Sequence, residues 1–390
     1  MPRIRSWRDF TNMTGLRSAL RGGARYLFGK RGQRLVYGLR MYYRLRTIVL
    51  LRTGEPIGRL ARRNEVRLWV DGKDVFRRLE RLIRKARHHI AIQMFIWKND
   101  ETGRYMAELL LEAADRGVSV EITKEAVGDF FEFYGDFLGT KNSEQHPWKE
   151  FWNHPRIRIT YATQNDHAKV FLIDGHTLLL TGMNIANEYR NRWHDYMVEL
   201  RGTGYVEQFL TRLDGSKDDP VRLVMNTESR KEIRPVLMEV LRGAKEHVVL
   251  EQCYLSDPEV IDVIVGLSKR AVNVTIVLPK WADFHYHANL ASIGRLLAEG
   301  NTSHITVLIY PEMFHAKAMI VDHKTVFIGS ANMFKASLDE MGEVNVLIRG
   351  RYRVLWKLRE AMRRSILRSR AVSSPPPFLW ISRWLAWLGL

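Results

Sequence analysis

The feature that most constrains this chain is one short polar phrase that occurs twice at a fixed spacing. The phrase reads His-x-Lys-x4-Asp, with an asparagine ten residues further on. Its two copies consist of His167, Lys169, Asp174 and Asn184, and of His315, Lys317, Asp322 and Asn332. Each residue of the second copy lies 148 positions after its counterpart. One match to so short a motif can arise by chance, but two in register indicate a duplicated structural unit.

The duplication extends beyond the phrase. The same shift pairs Asp195 with Glu343, and both copies approach their asparagine through a turn that contains Gly182 or Ser330. Helix and strand signals also alternate in the same order before each copy. Such alternation is typical of α/β units. We therefore predict an α/β fold of two pseudo-symmetric α/β/α domains that pack face to face, with helical extensions at both ends of the chain.

Apolar periodicity predicts the elements of each domain. Strands are expected near 66–70, 90–96 and 118–122 in the first half and near 221–224, 248–254 and 272–277 in the second, with helices between them. The boundaries follow from changes in composition: a basic extension at 1–64, a first domain at 65–212, a second at 221–350, and a basic helix with a hydrophobic tail at 351–390. Residues 213–220 collect turn formers and charges and are the predicted linker.

Charge is concentrated at one end of the chain. The formal net charge is +18, yet sixteen Lys and Arg face only two acidic residues before Asn64. A segment so basic favours phosphate-rich partners, either nucleic acid or an anionic membrane surface. The remainder is close to neutral and, with 46% hydrophobic residues, can form packed cores. A single cysteine, Cys253, excludes an internal disulfide framework.

Both ends of the chain combine apolar and basic residues. In 1–64, aromatic and leucine residues alternate with arginines at a partly helical spacing, which predicts an amphipathic element at a lipid surface. A solvated basic arm, a helix packed on the body and a mitochondrial-type presequence are alternatives. Residues 378–390 carry three tryptophans but are too few to cross a bilayer, so they suit the membrane interface or a contact with the body or a second subunit.

The repeated phrase has the residues for phosphoryl chemistry. If each phrase lies on a strand, its histidine and lysine leave the same face. Two halves placed face to face would then offer a nucleophile and an acid on opposite sides of one phosphorus atom. That arrangement fits a two-step displacement through a phosphohistidine, with the lysines and asparagines holding the nonbridging oxygens. Such chemistry requires neither a metal nor a cofactor, and we expect neither.

These residues resemble the motifs of the phospholipase D superfamily. The segments Gly182-Met-Asn-Ile-Ala-Asn-Glu-Tyr189 and Trp193-His-Asp195 are similar to those of its bacterial cardiolipin synthase branch, in particular the shorter, peripherally bound type. The resemblance covers about residues 65–350. It implies two phospholipase D-like domains with one active site along a pseudo-two-fold axis.

The resemblance also implies roles for individual residues. His167 matches the nucleophile, and His315 the general acid that later acts as base. Asp195 and Glu343 match the acids that bond the far nitrogens of the histidines. The expected phosphate-binding residues are Lys169, Lys317, Asn184 and Asn332, with Ser330 in support. Asp174 and Asp322 complete the catalytic phrase, although the matching aspartate is usually structural in the family.

The expected function is that of a phosphatidyltransferase of the cardiolipin synthase type. It would act on anionic phospholipids such as phosphatidylglycerol, peripherally bound at the cytoplasmic face of an inner membrane, with no stable nucleic-acid partner and with homo-oligomers left open. Three alternatives use the same residues differently: a phospholipase D that hydrolyses lipid to phosphatidic acid, a metal-independent nuclease, and a noncatalytic membrane scaffold. Vesicle assays, plasmid cleavage and His315→Ala replacement separate them.

A few further residues are weaker candidates. His285 and His287 stand two apart without a third ligand nearby, and we interpret them as loop residues. His89 and His247 occupy equivalent strand starts, which indicates a structural role in the repeat. Cys253 is expected to be a core residue of its strand.

Overall fold

The computed structural model describes residues 65–125, 128, 150–151, 153–162, 165–212 and 218–374. The predicted extension at 1–64, most of the linker and the tryptophan-rich tail at 378–390 lie outside the described residues. The described helices include none with the length and apolarity needed to cross a bilayer.

The first half forms a seven-stranded sheet in the order β1-β7-β6-β5-β2-β3-β4. Its strands are β1 (Glu65–Val70), β2 (His89–Met94), β3 (Ser119–Lys124), β4 (Ile157–Tyr161), β5 (Lys169–Ile173), β6 (Thr177–Thr181) and β7 (Tyr196–Arg201). Strands β2, β3 and β4 run parallel, whereas the remaining pairs are antiparallel. The predicted strands of this half are therefore present at the expected places.

The second half repeats this order and adds one short edge strand. The eight-stranded sheet runs β8-β14-β13-β12-β9-β10-β11-β15. Its strands are β8 (Val221–Asn226), β9 (His247–Gln252), β10 (Asn273–Pro279), β11 (Ile305–Tyr310), β12 (Lys317–Val321), β13 (Thr325–Gly329), β14 (Glu343–Arg349) and β15 (Arg370–Ala371). Two mixed sheets of the same topology confirm the predicted α/β fold class.

Nine helices occur among the described residues. They are α1 (Gly72–Lys85), α2 (Glu101–Asp115), α3 (Asn187–Asn191), α4 (Thr203–Thr211), α5 (Ile233–Arg242), α6 (Pro258–Lys269), α7 (Tyr286–Glu299), α8 (Lys335–Asp339) and α9 (Tyr352–Arg368). Local capping fixes two of the starts: Asp100 accepts from the backbone N–H of Gly103, and Asp257 accepts from that of Val260. Helix α2 therefore begins at Glu101, directly after its capping residue Asp100.

The two halves share one hydrophobic core. Alternate residues of β5 and β12, among them Leu172 and Ile320, point into this common core, while Phe171 and Met319 point toward the helices of their own half. Each sheet is therefore covered by helices on one face and by the other half on the opposite face. The strands are apolar on both faces because both faces are buried.

Helix α9 closes one side of this shared core. It contacts β1 of the first half and β11 of the second. Val354, Leu358 and Met362 are buried there. Leu367 is instead 70% exposed. The helix turns that position away from the shared core, and so its last turn leaves an apolar side chain in solvent.

Backbone contacts join the halves at the start of each repeated phrase. Asp166 forms a parallel bridge with Gly342, and Phe314 forms one with His194. The shift of 148 converts the first bridge into the second. The hydrogen bonds follow the same rule, since the N–H of His167 donates to the carbonyl of Gly342 at 2.8 Å and that of His315 to the carbonyl of His194 at 2.9 Å. The two phrases are therefore related by a pseudo-two-fold axis.

Candidate active site

His167 is held from the second half of the fold. It is buried just before β5, and its Nδ1 lies 2.9 Å from Oε1 of Glu343 at the start of β14. The sequence interpretation put each histidine on a strand with its lysine, but β5 and β12 begin only at Lys169 and Lys317. The histidines precede these strands because their N–H groups donate to carbonyls of the opposite half, across the seam between the two halves, instead of within their own sheet.

His315 shows the reciprocal arrangement. Its Nδ1 lies 3.1 Å from Oδ2 of Asp195, which precedes β7 in the first half. Nδ1 also lies 2.9 Å from Nζ of Lys317. An ammonium can only donate, so Nδ1 of His315 either donates to Asp195 or accepts from Lys317, and the choice fixes which ring nitrogen carries the proton. Each histidine thus has its acid in the opposite half.

Both lysines are fully buried beside their histidines. Nζ of Lys169 donates to the carbonyl of His167, and Nζ of Lys317 donates to that of His315, both at 2.5 Å. Burial, and then the charge of Lys317, lowers the pKa of Lys169 to about 7 despite the opposing effect of Glu343. The charges of the two lysines therefore act on each other across the seam.

The same charges keep both imidazoles neutral. Burial and the ammonium of Lys169 lower the pKa of His167 to about 4, although Glu343 opposes the shift. Burial, then Lys317 and Lys169, lowers the pKa of His315 well below its ordinary value. A neutral imidazole that donates through Nδ1 leaves a lone pair on Nε2, which is the form required of a nucleophile.

The two acids differ in their surroundings. Glu343 accepts from Ser330 Oγ at 2.5 Å and from Ser337 Oγ at 2.7 Å as well as from His167. Burial would raise the pKa of Glu343, but interactions with His167, Lys169 and Ser330 leave it below the ordinary value. The Glu343 carboxylate is thus held in its ionised form.

Asp195 has fewer donors. Besides His315 it accepts from the backbone N–H of Tyr196 at 2.7 Å. Burial raises the pKa of Asp195 to about 7. The charge of Lys317 and the hydrogen bond from Tyr196 both lower this pKa, but they offset only part of the effect of burial. The acid beside His315 can therefore change its protonation near neutral pH, whereas the acid beside His167 cannot.

The asparagines lie after β6 and β13, as predicted, and both are buried. Both polar atoms of the Asn184 side chain have a partner, because Oδ1 accepts from the N–H of Ile96 at 3.1 Å and Nδ2 donates to the hydroxyl of Tyr189 at 2.8 Å. Oδ1 of Asn332, by contrast, meets no hydrogen-bonding partner among the described residues. A buried acceptor without a partner is costly in a folded protein and is common where a ligand completes the site.

Asp174 and Asp322 are not brought to the histidines. Each lies at the far end of its strand, in a turn with φ of 51° or 49°. The carboxylate of Asp174 accepts from the N–H groups of residues 87–89 at 2.8–3.2 Å, and that of Asp322 from those of residues 245–247 at 2.9–3.2 Å. This geometry fits the structural role that the matching family residue usually has.

Aromatic rings surround the two histidines unequally. The ring of His167 meets Phe95 edge-on at 4.8 Å. His315 lies among three rings: Tyr189 at 5.1 Å, Trp193 at 6.1 Å and Tyr254 at 6.5 Å. Among the described residues, three aromatic rings therefore lie against His315 and one lies against His167.

Sequence reasoning missed a second charged cluster next to this site. Nδ1 of His194 lies 2.5 Å from Oδ1 of Asp71, and Nε2 lies 2.9 Å from the hydroxyl of Tyr196 and 3.3 Å from Oε2 of Glu251. Against the effect of burial, Asp71 and Glu251 raise the pKa of His194 to about 10. The cluster holds His194, which directly precedes Asp195, against Glu251 of the second half. Its charged members are distant in sequence and meet only in the folded structure.

Ser337 was also missed, although a signal was available. Its Oγ donates to Glu343 and accepts from the N–H of Asn332 at 2.9 Å. The shift of 148 maps Ser337 onto Tyr189, whose hydroxyl accepts from Asn184. Applying the repeat position by position would therefore have singled out Ser337.

The weaker candidates lie only in part where we expect them, because His287 belongs to a helix and not to a loop, and Cys253 lies one residue after the end of β9. His89 and His247 begin β2 and β9. Cys253 is buried, and burial raises its thiol pKa. His285 precedes α7 and His287 lies in its first turn.

Comparisons with known proteins agree with this geometry. Residues 79–215 and 237–366 match the profile described as the cardiolipin synthase, phospholipase D-like domain. The chain is 28% identical over 323 residues to the major cardiolipin synthase ClsA of Bacillus subtilis (strain 168), which covers 73% of this chain and 65% of that protein. It is 25% identical over 353 residues to a cardiolipin synthase of Listeria innocua, covering 80% of this chain and 70% of that protein.

Solved structures show the same fold at low identity. Phosphatidylserine synthase of Haemophilus influenzae superposes with a TM-score of 0.65 at 12% identity, over 82% of this chain and 90% of that one. Polyphosphate kinase of Porphyromonas gingivalis superposes with a TM-score of 0.55 at 16% identity, over 83% of this chain and 51% of that one. The chain spans about two thirds of the length of ClsA, and the family profile matches it twice. The chain therefore belongs to the cardiolipin synthase family of phospholipase D-like proteins.

Proposed function

We propose that the protein is a phosphatidyltransferase that moves a phosphatidyl group between phospholipids. The observation that carries this proposal is the reciprocal pairing of His167 with Glu343 and of His315 with Asp195, which gives two imidazoles that each contact a carboxylate of the opposite half. Relatives named cardiolipin synthases support phosphatidylglycerol as the lipid substrate and cardiolipin as the product.

In the first step, Nε2 of neutral His167 attacks the phosphorus of the donor lipid. A nitrogen–phosphorus bond forms, the bond from phosphorus to the headgroup oxygen breaks, and His315 gives that oxygen a proton. His315 must be protonated at this stage. An anionic phosphodiester between the lysines offsets their charges and thereby raises the pKa of His315 on binding.

In the second step, His315 acts as the base. It removes the proton of an incoming lipid hydroxyl, whose oxygen attacks the phosphohistidine and releases His167. Lys169, Lys317 and the amide of Asn332 hold the nonbridging oxygens in both steps. Water in place of the lipid hydroxyl would give phosphatidic acid, so the same chemistry performs transfer or hydrolysis according to the acceptor.

The proposal extends to organisation and location. We assign the two catalytic domains to residues 65–212 and 221–350, with 213–220 as linker, and we treat Asp174 and Asp322 as structural. The basic residues of 1–64 and the tryptophans of 378–390 support peripheral attachment to an anionic membrane, at the cytoplasmic face of the inner membrane. Homo-oligomers are compatible with this arrangement.

A vesicle assay tests the reaction. Purified protein is mixed with vesicles of phosphatidylglycerol labelled in its phosphate, and the lipids are separated with and without EDTA. We expect labelled cardiolipin and free glycerol, and we expect loss of both with His167→Ala. Asp262→Asn, on the exposed surface of α6, is the matched control. Phosphatidic acid as the sole product would make the protein a hydrolase, and plasmid cleavage that depends on His167 would make it a nuclease.

The covalent step needs its own measurement. Protein quenched in alkali during turnover should retain label that acid releases, as a phosphoramidate does, and His167→Ala should retain none. Label that survives acid, or none in any variant, would contradict the phosphohistidine.

A further inference from the structure

A further carboxylate, that of Asp283, lies beside the site in the second half. The hydroxyl of Tyr254 donates to Oδ1 of Asp283, and the N–H of Phe284 donates to the same oxygen at 3.1 Å. The ring of Tyr254 in turn faces His315 at 6.5 Å and the ammonium of Lys317 at 6.0 Å. Asp283 is thus linked to the reacting centre through the side chain of Tyr254. Unlike Asp195 and Glu343, Asp283 is exposed.

His285 extends this polar surface. Its ring lies 5.1 Å from that of Tyr254 and stacks on Phe334 at 4.4 Å, two residues beyond Asn332. Burial lowers the pKa of His285 to about 4, so the ring is neutral at physiological pH. Its Nδ1 is buried and meets no hydrogen-bonding partner in the part of the chain that the structure describes. A neutral imidazole with an unused nitrogen can bind one hydroxyl group.

Among the described residues, the first half shows no such surface beside His167. The bridges Trp97 to Ile185 and Leu255 to Met333 are structurally equivalent, because Ile185 and Met333 follow the shift of 148 while β2 aligns with β9 at an offset of 158, so Tyr254 takes the place of Ile96. Next to His167 the only ring contact among the described residues is Phe95. Among the described residues, the contacts with Tyr254 and His285 therefore lie on one side of the pseudo-two-fold axis, the side of His315.

That side is where an alcohol has to enter. In-line displacement places the leaving and the attacking oxygen opposite His167, next to the residue that moves their protons. We propose that Tyr254, Asp283 and His285 form the binding site for the attacking alcohol and recognise a headgroup that carries two neighbouring hydroxyls, such as a glycerol headgroup. This inference rests on the proposed function and deepens it, because it names the residues that select a lipid alcohol over water.

The chemistry of the three side chains fits a diol. Oδ1 of Asp283 already accepts from Tyr254 and Phe284, so Oδ2 is the oxygen that accepts from one hydroxyl, while the imidazole nitrogen of His285 accepts from the neighbouring hydroxyl. Recognition through hydroxyls discriminates strongly against analogues that lack them, because the protein groups are then left unpaired. Exposed Trp281 and Phe284 flank Asp283, so an alcohol can reach the carboxylate from outside.

The test measures the partition between transfer and hydrolysis. Wild type, Asp283→Asn, Tyr254→Phe and Asp262→Asn are each given phosphatidylglycerol vesicles with isotopically labelled glycerol or labelled 1-propanol as competing acceptor, because transfer to unlabelled glycerol would only regenerate the donor lipid. For wild type we expect glycerol to be phosphatidylated at least about tenfold better than 1-propanol. In Asp283→Asn that preference should fall to near one, and the ratio of cardiolipin to phosphatidic acid should fall about tenfold. Asp262→Asn should behave as wild type.

The outcomes separate this inference from the proposed function. Cardiolipin synthesis by wild type together with an unchanged partition ratio in Asp283→Asn and Tyr254→Phe would overturn the inference alone. Phosphatidic acid as the sole wild-type product with every alcohol would overturn both. A parallel loss of transfer and hydrolysis in Asp283→Asn, with Tyr254→Phe unchanged in acceptor preference, would also count against the inference, because it would mark a general structural role.

Discussion

Oε1 of Glu343 lies 2.9 Å from Nδ1 of His167, although 176 positions separate the two residues in the chain. The repeat gives a matching pair, in which the second half supplies His315 and the first half supplies Asp195. Each half therefore supplies the imidazole of one pair and the carboxylate of the other. No half holds a complete pair by itself.

Neutralising these acids tests the pairing. Glu343→Gln and Asp195→Asn keep the shape of the side chain but remove the charge that stabilises an imidazolium, so we expect kcat to fall by about 10²-fold or more with a much smaller change in KM. Steady-state cardiolipin synthesis measures both parameters. Turnover within twofold of wild type in Glu343→Gln, with Asp262→Asn as reference, would contradict the role given to the pair.

The two asparagines should respond differently to truncation. Asn184→Ala leaves the N–H of Ile96 without its acceptor, which should lower the free energy of unfolding by about 1–3 kcal/mol. In Asn332→Ala the lost Oδ1 had no partner among the described residues, so the loss of stability should be smaller while turnover still falls. Urea denaturation and initial rates compare the two. Equal destabilisation would show that Asn332 is held as firmly as Asn184.

Gly182 occupies a place where a side chain would collide with the site. A Cβ there would lie 2.5 Å from Oδ2 of Asp195, whereas at Gly204, in α4, it would meet nothing within 4 Å. We expect Gly182→Ala to displace Asp195, to cost about 1–3 kcal/mol of stability and to lower turnover. Gly204→Ala should leave turnover unchanged and should not destabilise the fold. A Gly182→Ala variant with normal turnover would mean that Asp195 tolerates the shift.

Asp174 should matter for folding more than for chemistry. Its carboxylate accepts from three backbone N–H groups at the turn into β2, so Asp174→Ala should lower the free energy of unfolding by at least about 2 kcal/mol. The rate per folded molecule should stay close to that of wild type. Preserved stability with lost turnover would instead assign Asp174 a direct catalytic role.

The lowered pKa of His167 predicts a pH dependence of stability. The imidazole pKa is about 4 in the folded protein and 6.5 when unfolded, so the unfolded chain binds more protons between these values. The stabilising contribution is present above pH 6.5 and is lost as the pH falls toward 4. Relative to His167→Gln, wild type should lose about 2 kcal/mol between pH 7.5 and pH 5. Urea denaturation at both pH values checks this, and parallel curves would contradict it.

Much of the fold could be predicted because the sequence repeats local patterns. Alternating apolar residues in 66–70 and 248–254 indicate strands wherever they stand, and the constant shift identified both histidines, both lysines and both acids as residue types. What could not be predicted is which acid serves which histidine, since that depends on how the two sheets pack. The cluster of His194, Asp71 and Glu251 is of the same kind: its members come from three separate segments that only tertiary structure joins.

The backbone bridges at the seam have a consequence for how such a protein can be divided. Cutting the chain between its sheets would give two pieces that each retain a strand order and an apolar core, yet each piece would expose that core and carry a histidine with no acid beside it. Activity would then require reassociation and would depend on the concentrations of the two pieces. A single copy of this fold could work only as a pair, whether the partner is the second half of one polypeptide or a second molecule.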